Sequence, residues 1–400
     1  MVDRFQDSLV ADYGAVTALR PQFTSHGGYS LLTSTHVHPA EVFLFIPKQC
    51  LLNVESESIR QRYPRSLTSF QILSSHLTRL RMGDLECTRL ESPYLDTLPA
   101  DFSFHPLCWP QEKLDRLPIH VRKLVEHVSH RFESDFAAFR SHFEASKLLI
   151  QKHTQPIAEV FKWAWLVVNT RCLYYPIQDV EKDSQLSLCP YLDLLNHSSP
   201  SPNTTNLFNA LPKPEIPLRE GGYELVNNST HTIPPDTEIC FMYGPHSDDF
   251  LLAEYGFVLG WEKNAFTEVN ISDLVKQLIK EDWKRDQLQE NDLWDDYTLH
   301  LYPAPAWPSQ RTLMALRMAC LSREEEGEWC KVAGYQKESV SDSNENQMRS
   351  SLADLCCHLN KVSDEKIQEN KPDYAVRVIW ENVHSTTSAI QQSVKDNISF

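Results

Sequence analysis

Apolar positions recur along the chain with two spacings, one typical of strands and one typical of helices. Near the N-terminus and again past the middle, short β-favouring runs are bounded by turn residues. These runs are residues 29–33, 42–46, 222–226 and 238–243. The turn before the last of them is Pro234-Pro235-Asp236. The pattern therefore predicts several short strands that together form a β-rich core.

A helical spacing of three or four residues begins near Leu124. It continues through Val128, Phe132, Phe136, Phe139 and Phe143, and it predicts a helix that faces the core. A second helix is predicted at about residues 157–168, with Pro156 near its start. Residues 248–255 predict one short helix closed by Gly256. We interpret the aromatic stripe as packing and assign it no role in binding a cofactor.

Beyond residue 265 the spacing is helical. Serines 272 and 309 precede two of the predicted helices, and two more are centred on the apolar residues of 352–359 and 374–379. The polar residues 341–347 and 324–326 are predicted to be exposed surface or loop. This part of the chain is therefore predicted to be a second, α-helical domain.

Composition and charge narrow the class of protein. The 400 residues are 41% apolar and 10% aromatic, which is enough for sizeable cores in two or three domains. Thirty-eight basic against 54 acidic residues give a net charge of −16. Neither half of the chain carries the positive excess that binding to a phosphate backbone requires. We therefore expect no nucleic-acid partner, and a basic protein partner fits the charge.

The chain also lacks the sequence features of secretion, membrane insertion and metal binding. No apolar run approaches the roughly 18 residues of a membrane helix, and the start has no signal-peptide layout, so we expect a cytoplasmic or nuclear protein with no membrane partner. The ten cysteines include no CxxC pair, and the close histidine pairs His36/His38 and His127/His130 have no third ligand at a recognisable spacing. We expect no metal.

The most unusual local cluster consists of polar residues at the end of an apolar stretch. Asp193, Asn196 and His197 close the segment that begins at Leu188, and Tyr243-Gly244 follows later in the chain. Such a cluster can be a capping and turn network that satisfies backbone groups, and Tyr243 can be a core residue. From the residues alone, this structural interpretation is favoured over a functional one.

Several short strings in the chain nevertheless resemble a known family. They are HGGYSLL (26–32), FIP (45–47), SPYLDTLP (92–99), Thr170-Arg171, PYLDLLNHS (190–198), EICFMYG (238–244) and EYGF (254–257). In this order they resemble the signature of SET-domain protein methyltransferases, in particular the Rubisco large-subunit methyltransferase-like group. The resemblance covers about residues 20–260, and the helical tail fits that group's C-terminal substrate-binding domain.

The resemblance implies an α+β protein in two domains. A β-rich SET domain would span residues 1–260, with a helical insert at about 105–175, and a helical substrate-binding domain would span residues 261–400. It also implies S-adenosylmethionine as the cofactor and transfer of a methyl group to a lysine side-chain amine of a protein. In this fold the segment ending at Tyr243 is expected to lie beside Asn196-His197.

The family pattern further implies which residues contact the cofactor. Arg171 would pair with its carboxylate, and Asp193, Asn196 and His197 would hold its amino-acid and adenine portions. The remaining implied contacts, made by backbone or by packing, are Gly27, Gly28, Tyr29, Pro99, Leu194, Leu195, Tyr255, Gly256 and Phe257. Tyr243 matches the catalytic tyrosine, which would orient the amine and the electron-poor methyl group. Phe241, Tyr255 and Phe257 are candidate walls of an apolar lysine tunnel, which would lower the amine's pKa by desolvation.

Two positions depart from the family pattern. The glycine-rich string usually reads G-x-G-L, whereas here Ser30 replaces the second glycine, a change expected to weaken cofactor binding. The turn before the catalytic strand commonly carries Gly-Glu, and here it is Pro235-Asp236.

Two other functions compete with the methyltransferase hypothesis. One is an inactive SET-fold protein-binding module, for which Ser30 is the best support. The other is a hydrolase using Asp193, His197 and one of Ser198, Ser199 or Ser201, although no G-x-S-x-G elbow is present. The sequence leaves open whether the target is a ribosomal protein, a histone or another protein, and whether lysine or histidine is methylated.

Overall fold

The computed structural model describes residues 2–24, 28–64, 66–143, 156–200, 218–219 and 221–400. The chain forms two compact units, each with its own apolar core. The first unit comprises Met1–Cys108, Glu126–Ser198 and Leu211–Gly244. The second comprises Trp109–Val125, Ser199–Ala210 and Pro245–Phe400.

Helices account for most of the regular structure. In chain order the described α-helices are α1 (Val2–Tyr13), α2 (Ser69–Arg81), α3 (Glu91–Leu95), α4 (Gln111–Leu114), α5 (Ile119–Phe143), α6 (Ile157–Arg171), α7 (Asp248–Tyr255), α8 (Ser272–Leu278), α9 (Asp282–Glu290), α10 (Gln310–Ala319), α11 (Glu326–Ala333), α12 (Asp342–Glu369) and α13 (Tyr374–Lys395). The helix predicted at 157–168 is confirmed and continues to Arg171. The helix predicted at 248–255 is confirmed at those bounds, and Gly256 ends it with a left-handed φ of 82°.

Strands are short. The described strands are β1 (Val16–Thr17), β2 (Leu19–Phe23), β3 (Tyr29–Thr33), β4 (Val42–Pro47), β5 (Leu173–Tyr174), β6 (Leu186–Ser187), β7 (Asn196–His197), β8 (Leu218–Arg219), β9 (Gly222–Val226), β10 (Cys240–Phe241), β11 (Glu268–Asn270), β12 (Thr298–His300) and β13 (Trp307–Pro308). The strands predicted at 29–33, 42–46 and 222–226 are confirmed. The strand predicted over 238–243 is shorter than expected, because only Cys240 and Phe241 pair as a regular ladder.

The first unit is built on an antiparallel sheet with the strand order β1-β4-β9-β8. Gly222 begins β9 with a φ of 151°, and a side chain at this position would approach the Ile46 carbonyl oxygen to 2.0 Å. The close approach of β9 to β4 at residue 222 therefore requires glycine. Beside the sheet, β2 and β3 form a hairpin, and β3 also bonds to the segment before β10, since the Ile239 N–H donates to Leu31 O at 2.9 Å.

Helices α2, α5 and α6 supply much of the first unit's core. The aromatic stripe of α5 packs against α6, with ring centroids 4.7 Å apart for Phe139 and Phe161 and 5.8 Å apart for Phe132 and Trp165. Phe139, Phe161 and Trp165 are almost fully buried. The prediction that this stripe faces the core is confirmed.

The second unit combines helices with a three-stranded antiparallel sheet, β11-β12-β13, that the helical spacing did not predict. Ser309 caps α10 by accepting a hydrogen bond from the Thr312 N–H, as a serine before a helix should. Residues 341–347 were predicted to be exposed surface or loop, and four of them (342, 343, 346 and 347) are exposed, but the segment is not a loop: Ser341 is the N-cap of α12, and Asn344 is buried in its first turn. Polar residues that cap a helix have the composition of a loop, which explains the error. Among the described helices, none is long and apolar enough to cross a membrane.

Candidate active site

A parallel pair of strands in the first unit brings the two polar segments of the sequence together. The buried run from Leu188 ends at β7, and β7 pairs with β10 so that Asn196 lies opposite Cys240 and His197 opposite Phe241. The Ser198 N–H extends the ladder by donating to Phe241 O at 3.1 Å. The expected proximity of Asn196-His197 to the segment ending at Tyr243 is confirmed.

Tyr243 is held at both its backbone and its side chain. Its backbone N–H donates to His197 Nδ1 at 3.0 Å, and its hydroxyl donates to Leu195 O at 2.9 Å. Because Nδ1 accepts a hydrogen bond, the proton of a neutral His197 ring lies on Nε2. The Tyr243 ring also packs against Phe241, with centroids 4.8 Å apart. The phenol oxygen, having donated its proton, can meet any further group only as an acceptor.

Asn196 connects β7 to the N-terminal hairpin. Its Nδ2 lies 3.0 Å from Ser30 Oγ, 2.9 Å from Glu238 Oε1 and 3.4 Å from Tyr29 O. Leu32 of β3 and Glu238 form an antiparallel β-bridge, so β3 pairs with the segment before β10. This pairing places Ser30 next to Asn196. The serine that departs from the family pattern is therefore part of the hydrogen-bond network around Asn196.

A buried charged cluster lies one turn before β7. The Arg171 guanidinium donates to Asp193 O at 2.9 Å and lies 3.8 Å from Asp193 Oδ2, while the Tyr94 hydroxyl donates to that same carboxylate oxygen at 2.6 Å. Burial raises the pKa of the Asp193 carboxyl, and Arg171 and Tyr94 offset this only in part. Burial and the neighbouring carboxylate raise the pKa of the Tyr94 hydroxyl well above its ordinary value. The side chain of Asp193 is fully buried, whereas that of Arg171 keeps 16% exposure.

The other residues of the first unit that the family pattern assigns to the cofactor lie in the hairpin loop, before β7 and next to α6. Gly27 lies outside the described residues, and Gly28 closes the hairpin loop by accepting a hydrogen bond from the Thr24 N–H at 2.8 Å. Leu194 and Leu195 are buried, and Leu195 contributes the carbonyl that holds Tyr243. The Pro99 carbonyl accepts a hydrogen bond from Trp163 Nε1 at 2.8 Å, which ties that segment to α6.

Tyr255, Gly256 and Phe257 belong to the second unit. Gly256 closes α7, donating its N–H to Leu251 O and Leu252 O, and the rings of Tyr255 and Phe257 lie 6.2 Å apart. Burial raises the pKa of the Tyr255 hydroxyl. Their roles as tunnel walls and cofactor contacts stay predictions.

Sequence reasoning missed three members of the first unit's network. Tyr94 and Glu238 lie inside strings that carried the family resemblance, SPYLDTLP and EICFMYG, but no spacing or composition signal distinguished them. Ser30 was noted only as a departure. What links all three to the site is a hydrogen bond between residues far apart in sequence, and such contacts depend on the fold.

Two observations on the described residues concern metal binding and the hydrolase hypothesis. No group of three or more histidine, cysteine, aspartate or glutamate side chains that could hold a metal ion occurs there. For the hydrolase hypothesis, Ser199 Oγ accepts from the Ala265 N–H at 3.0 Å, and Ser201 lies outside the described residues.

Known proteins resemble this chain along most of its length. A family model for the Rubisco LSMT substrate-binding region matches residues 281–378. The ribosomal lysine N-methyltransferase set11 of Schizosaccharomyces pombe is 28% identical over 358 residues, which span 88% of this chain and 80% of that protein. SET domain-containing protein 4 of Homo sapiens is 27% identical over 387 residues, spanning 92% and 80% respectively.

A solved structure of Rubisco LSMT bound to AdoMet has the same fold. It aligns with a TM-score of 0.64 at 15% identity, covering 99% of this chain and 92% of that one. Four observations point to the same family. They are the sequence motifs, the parallel pairing that brings them together, the relatives and the shared fold. In its motifs, its relatives and its fold, the chain is similar to SET-domain proteins of the Rubisco large-subunit methyltransferase group.

Proposed function

We propose that this protein is an S-adenosylmethionine-dependent protein-lysine N-methyltransferase with Tyr243 as its catalytic residue. The observation that carries the proposal is the pairing of β7 with β10, which fixes Tyr243 between Leu195 O and the His197 ring. The printed name of the set11 relative, a ribosomal lysine N-methyltransferase, and the AdoMet bound to the structural neighbour support the same reaction.

The described residues fit S-adenosylmethionine chemically. Its carboxylate needs a cation, and Arg171 is a mostly buried cation held by the Asp193 carbonyl. Asp193 Oδ1 is buried without a hydrogen-bond partner among the described residues, which is typical of a site where polar groups serve a function rather than the fold. A Cβ on Gly28 would meet no described atom within 4 Å, so packing does not require glycine there and the backbone stays open to a ligand.

The roles of individual residues follow from their exposure. Arg171 would bind the carboxylate directly, and Asn196 would hold the amino-acid or adenine portion with its side chain. Asp193 has no exposed side-chain surface, so we assign it a positioning role through Arg171. Tyr29 and Gly28 line the same region through their backbone, and we retain Gly27, Pro99, Tyr255, Gly256 and Phe257 as proposed contacts on the family pattern alone.

When bound, S-adenosylmethionine supplies a methyl group on a sulfonium sulfur, which passes to the neutral substrate amine by in-line displacement, leaving S-adenosylhomocysteine and releasing one proton from the amine. The protein's own residues contribute by aligning the substrate amine with the methyl group. Tyr243, whose hydroxyl proton is engaged by Leu195 O, presents an oxygen acceptor that can orient both the amine N–H and an electron-poor methyl group. Phe241 packs against that ring, with the two ring centroids 4.8 Å apart.

We propose a basic segment of a ribosomal protein as the substrate. The net charge of −16 favours a positively charged target, because complementary charge speeds association and disfavours acidic competitors. The name of the set11 relative favours ribosomal proteins over histones. A histone tail would satisfy the charge but has no support among the two relatives named above.

Cofactor binding is the first test. Calorimetric titration of S-adenosylmethionine into the purified chain should show saturable binding, and the double variant Asn196→Ala/His197→Ala should abolish it without loss of folded structure by circular dichroism. Absence of binding by a well-folded wild type contradicts the methyltransferase proposal and supports the binding module in its place.

Methyl transfer is the second test. Radiolabelled S-adenosylmethionine should label intact ribosomal subunits more strongly than equal masses of histones, and Tyr243→Phe should reduce the rate by about 100-fold or more while leaving cofactor affinity within about twofold. Hydrolysis of the labelled protein should release methyl-lysine. Recovery of methyl-histidine instead would contradict the lysine assignment.

We also propose that the protein acts in the cytoplasm or nucleus, where ribosomal proteins are made and assembled. Fractionation of cells expressing the tagged chain should recover it there, and recovery from the secretory pathway would contradict this assignment.

A further inference from the structure

The Asn196 side chain has one chemically possible orientation. Its amide nitrogen is placed against three oxygens, and two of them, Tyr29 O and the Glu238 carboxylate, can only accept hydrogen bonds. Turning the amide over would set its own oxygen against these acceptors. The nitrogen therefore faces the protein, and Asn196 Oδ1 faces away from this cluster as an acceptor.

Ser30 is the most buried of the three partners. It is 6% exposed on β3, and its Oγ lies 3.0 Å from Asn196 Nδ2. A glycine at this position, as in the G-x-G-L string of the family, would have no side-chain oxygen to accept a hydrogen bond from Asn196. The serine thus supplies a hydrogen-bond acceptor that the glycine pattern lacks, at the point where the departure was expected to weaken the site.

Glu238 is the solvent-facing partner. It lies 2.9 Å from the same amide nitrogen, and the bridge between Leu32 and Glu238 fixes its backbone next to β3. The two shortest bonds, to Ser30 and Glu238, use both amide hydrogens, while Tyr29 O at 3.4 Å shares one of them. The amide plane is therefore set by a buried hydroxyl on one side and a carboxylate on the other.

We propose that Ser30, assisted by Glu238, is a positioning residue that locks the Asn196 amide so that its Oδ1 is presented to an N–H donor of the cofactor. This inference rests on the proposed function. It makes Ser30 a contributor to cofactor affinity that acts only through Asn196, and it reverses the expectation that the serine weakens the site.

The test is a double-mutant cycle read by calorimetry with S-adenosylhomocysteine, which carries the same N–H groups and is not consumed. Ser30→Ala should weaken binding about fivefold, and Glu238→Ala should weaken it about threefold. These factors correspond to the loss of one hydrogen bond at a buried and at an exposed position, respectively. Glu238→Gln should retain wild-type affinity, because its amide oxygen can still accept from Asn196. In the Asn196→Ala background, Ser30→Ala should have no further effect on affinity.

Thr33→Val is the matched control. Thr33 is a fully buried hydroxyl residue on the same strand. Its Oγ1 donates to Pro234 O at 2.6 Å and accepts from the Thr237 N–H at 3.0 Å, so these two bonds hold the turn before Glu238 rather than the Asn196 amide. This variant should lower the unfolding midpoint while leaving the affinity for S-adenosylhomocysteine unchanged. Ser30→Gly is a second variant that removes the hydroxyl, and it should match Ser30→Ala.

The outcomes separate this inference from the proposed function. A folded wild type that binds no S-adenosylhomocysteine overturns the function and this inference together. Wild-type binding with an unchanged affinity in Ser30→Ala overturns the inference alone. An equal loss of affinity from Ser30→Ala in the wild-type and Asn196→Ala backgrounds also overturns it, because the serine then acts independently of Asn196.

Discussion

Glu91 and Asp193 are two of the buried carboxylates in the described part of the first unit, and they differ in how completely they are hydrogen-bonded. Glu91, at the start of α3, accepts from His76 Nε2 at 2.7 Å and from the Thr88 N–H at 2.8 Å. Burial alone raises the pKa of Glu91, but the hydrogen bonds from His76, Thr88 and Ser58 outweigh it and hold the pKa at about 2. Glu91 is therefore an anion that the folded chain stabilises.

Asp193 is buried to a similar extent but is less well satisfied. One oxygen accepts from Tyr94 and faces Arg171, while the other has no hydrogen-bond partner among the described residues, and the pKa of this carboxyl is raised. An incompletely bonded buried carboxylate costs stability, and such groups cluster at functional sites. The comparison separates Glu91, which anchors the fold, from Asp193, which belongs to the candidate active site.

The largest expected effect is on stability at Glu91. Glu91→Gln keeps the shape but removes the charge that His76 and Thr88 stabilise, and a pKa of about 2 against an ordinary 4.5 corresponds to about 3 kcal/mol at pH 7. Urea unfolding should show this loss, and the affinity of the folded fraction for S-adenosylhomocysteine should be unchanged. Glu55→Gln, at an exposed ion pair, is the control and should stay within about 0.5 kcal/mol.

The two carboxylates should also respond to pH in opposite directions. The folded pKa of Glu91 is lowered, so its stabilisation is complete above about pH 4.5 and disappears as the pH falls towards 2. The folded pKa of Asp193 is raised, so its ionisation opposes folding increasingly as the pH rises above its ordinary 3.8. Unfolding free energies measured from pH 2 to 7 should show Glu91→Gln converging with wild type at low pH and Asp193→Asn gaining on wild type as pH rises. Parallel curves for both variants would contradict the distinction.

How far the sequence predicts the fold depends on whether the signal is local. The core stripe of α5, the end of α7 at Gly256 and the Ser309 cap follow from spacing and capping rules that act within one or two turns. The three-stranded sheet of the second unit was missed because its strands are two or three residues long, too short to show alternation.

In the candidate site, too, local features could be predicted from the sequence and long-range pairings could not. From the residues alone, Asp193, Asn196 and His197 were better explained as a capping network, and the family motifs were needed to connect them with Tyr243. Nothing local in the sequence indicates that residue 196 pairs with residue 240, because the pairing depends on a chain crossing more than 40 residues long. Both interpretations have a basis in the structure: Asn196 and His197 do bond to backbone groups, and the bond from the Tyr243 N–H to His197 Nδ1 fixes the tyrosine.

A smaller effect is expected from Asp193→Asn on cofactor binding. Arg171 keeps its hydrogen bond to the carbonyl of residue 193 but loses its ionic partner, so its guanidinium is less firmly oriented. Affinity for S-adenosylhomocysteine should weaken about fivefold, while the unfolding free energy at pH 7 changes by less than about 1 kcal/mol. Calorimetry and urea unfolding of the same sample measure both. A stability loss as large as that of Glu91→Gln, with unchanged affinity, would make Asp193 a second fold anchor.

The smallest effect should come from Tyr94→Phe, which removes only the hydroxyl that donates to Asp193 Oδ2. The ring keeps its packing beside Phe5, so the loss of one hydrogen bond should cost about 1 kcal/mol of unfolding free energy. Because Arg171 still bonds to the carbonyl of residue 193, affinity for S-adenosylhomocysteine should fall by no more than about twofold. Tyr63→Phe, which removes a hydroxyl from His76 in the Glu91 network, is the matched control and should leave that affinity unchanged. If Tyr94→Phe weakens binding more than Asp193→Asn does, the tyrosine rather than the arginine couples this cluster to the cofactor.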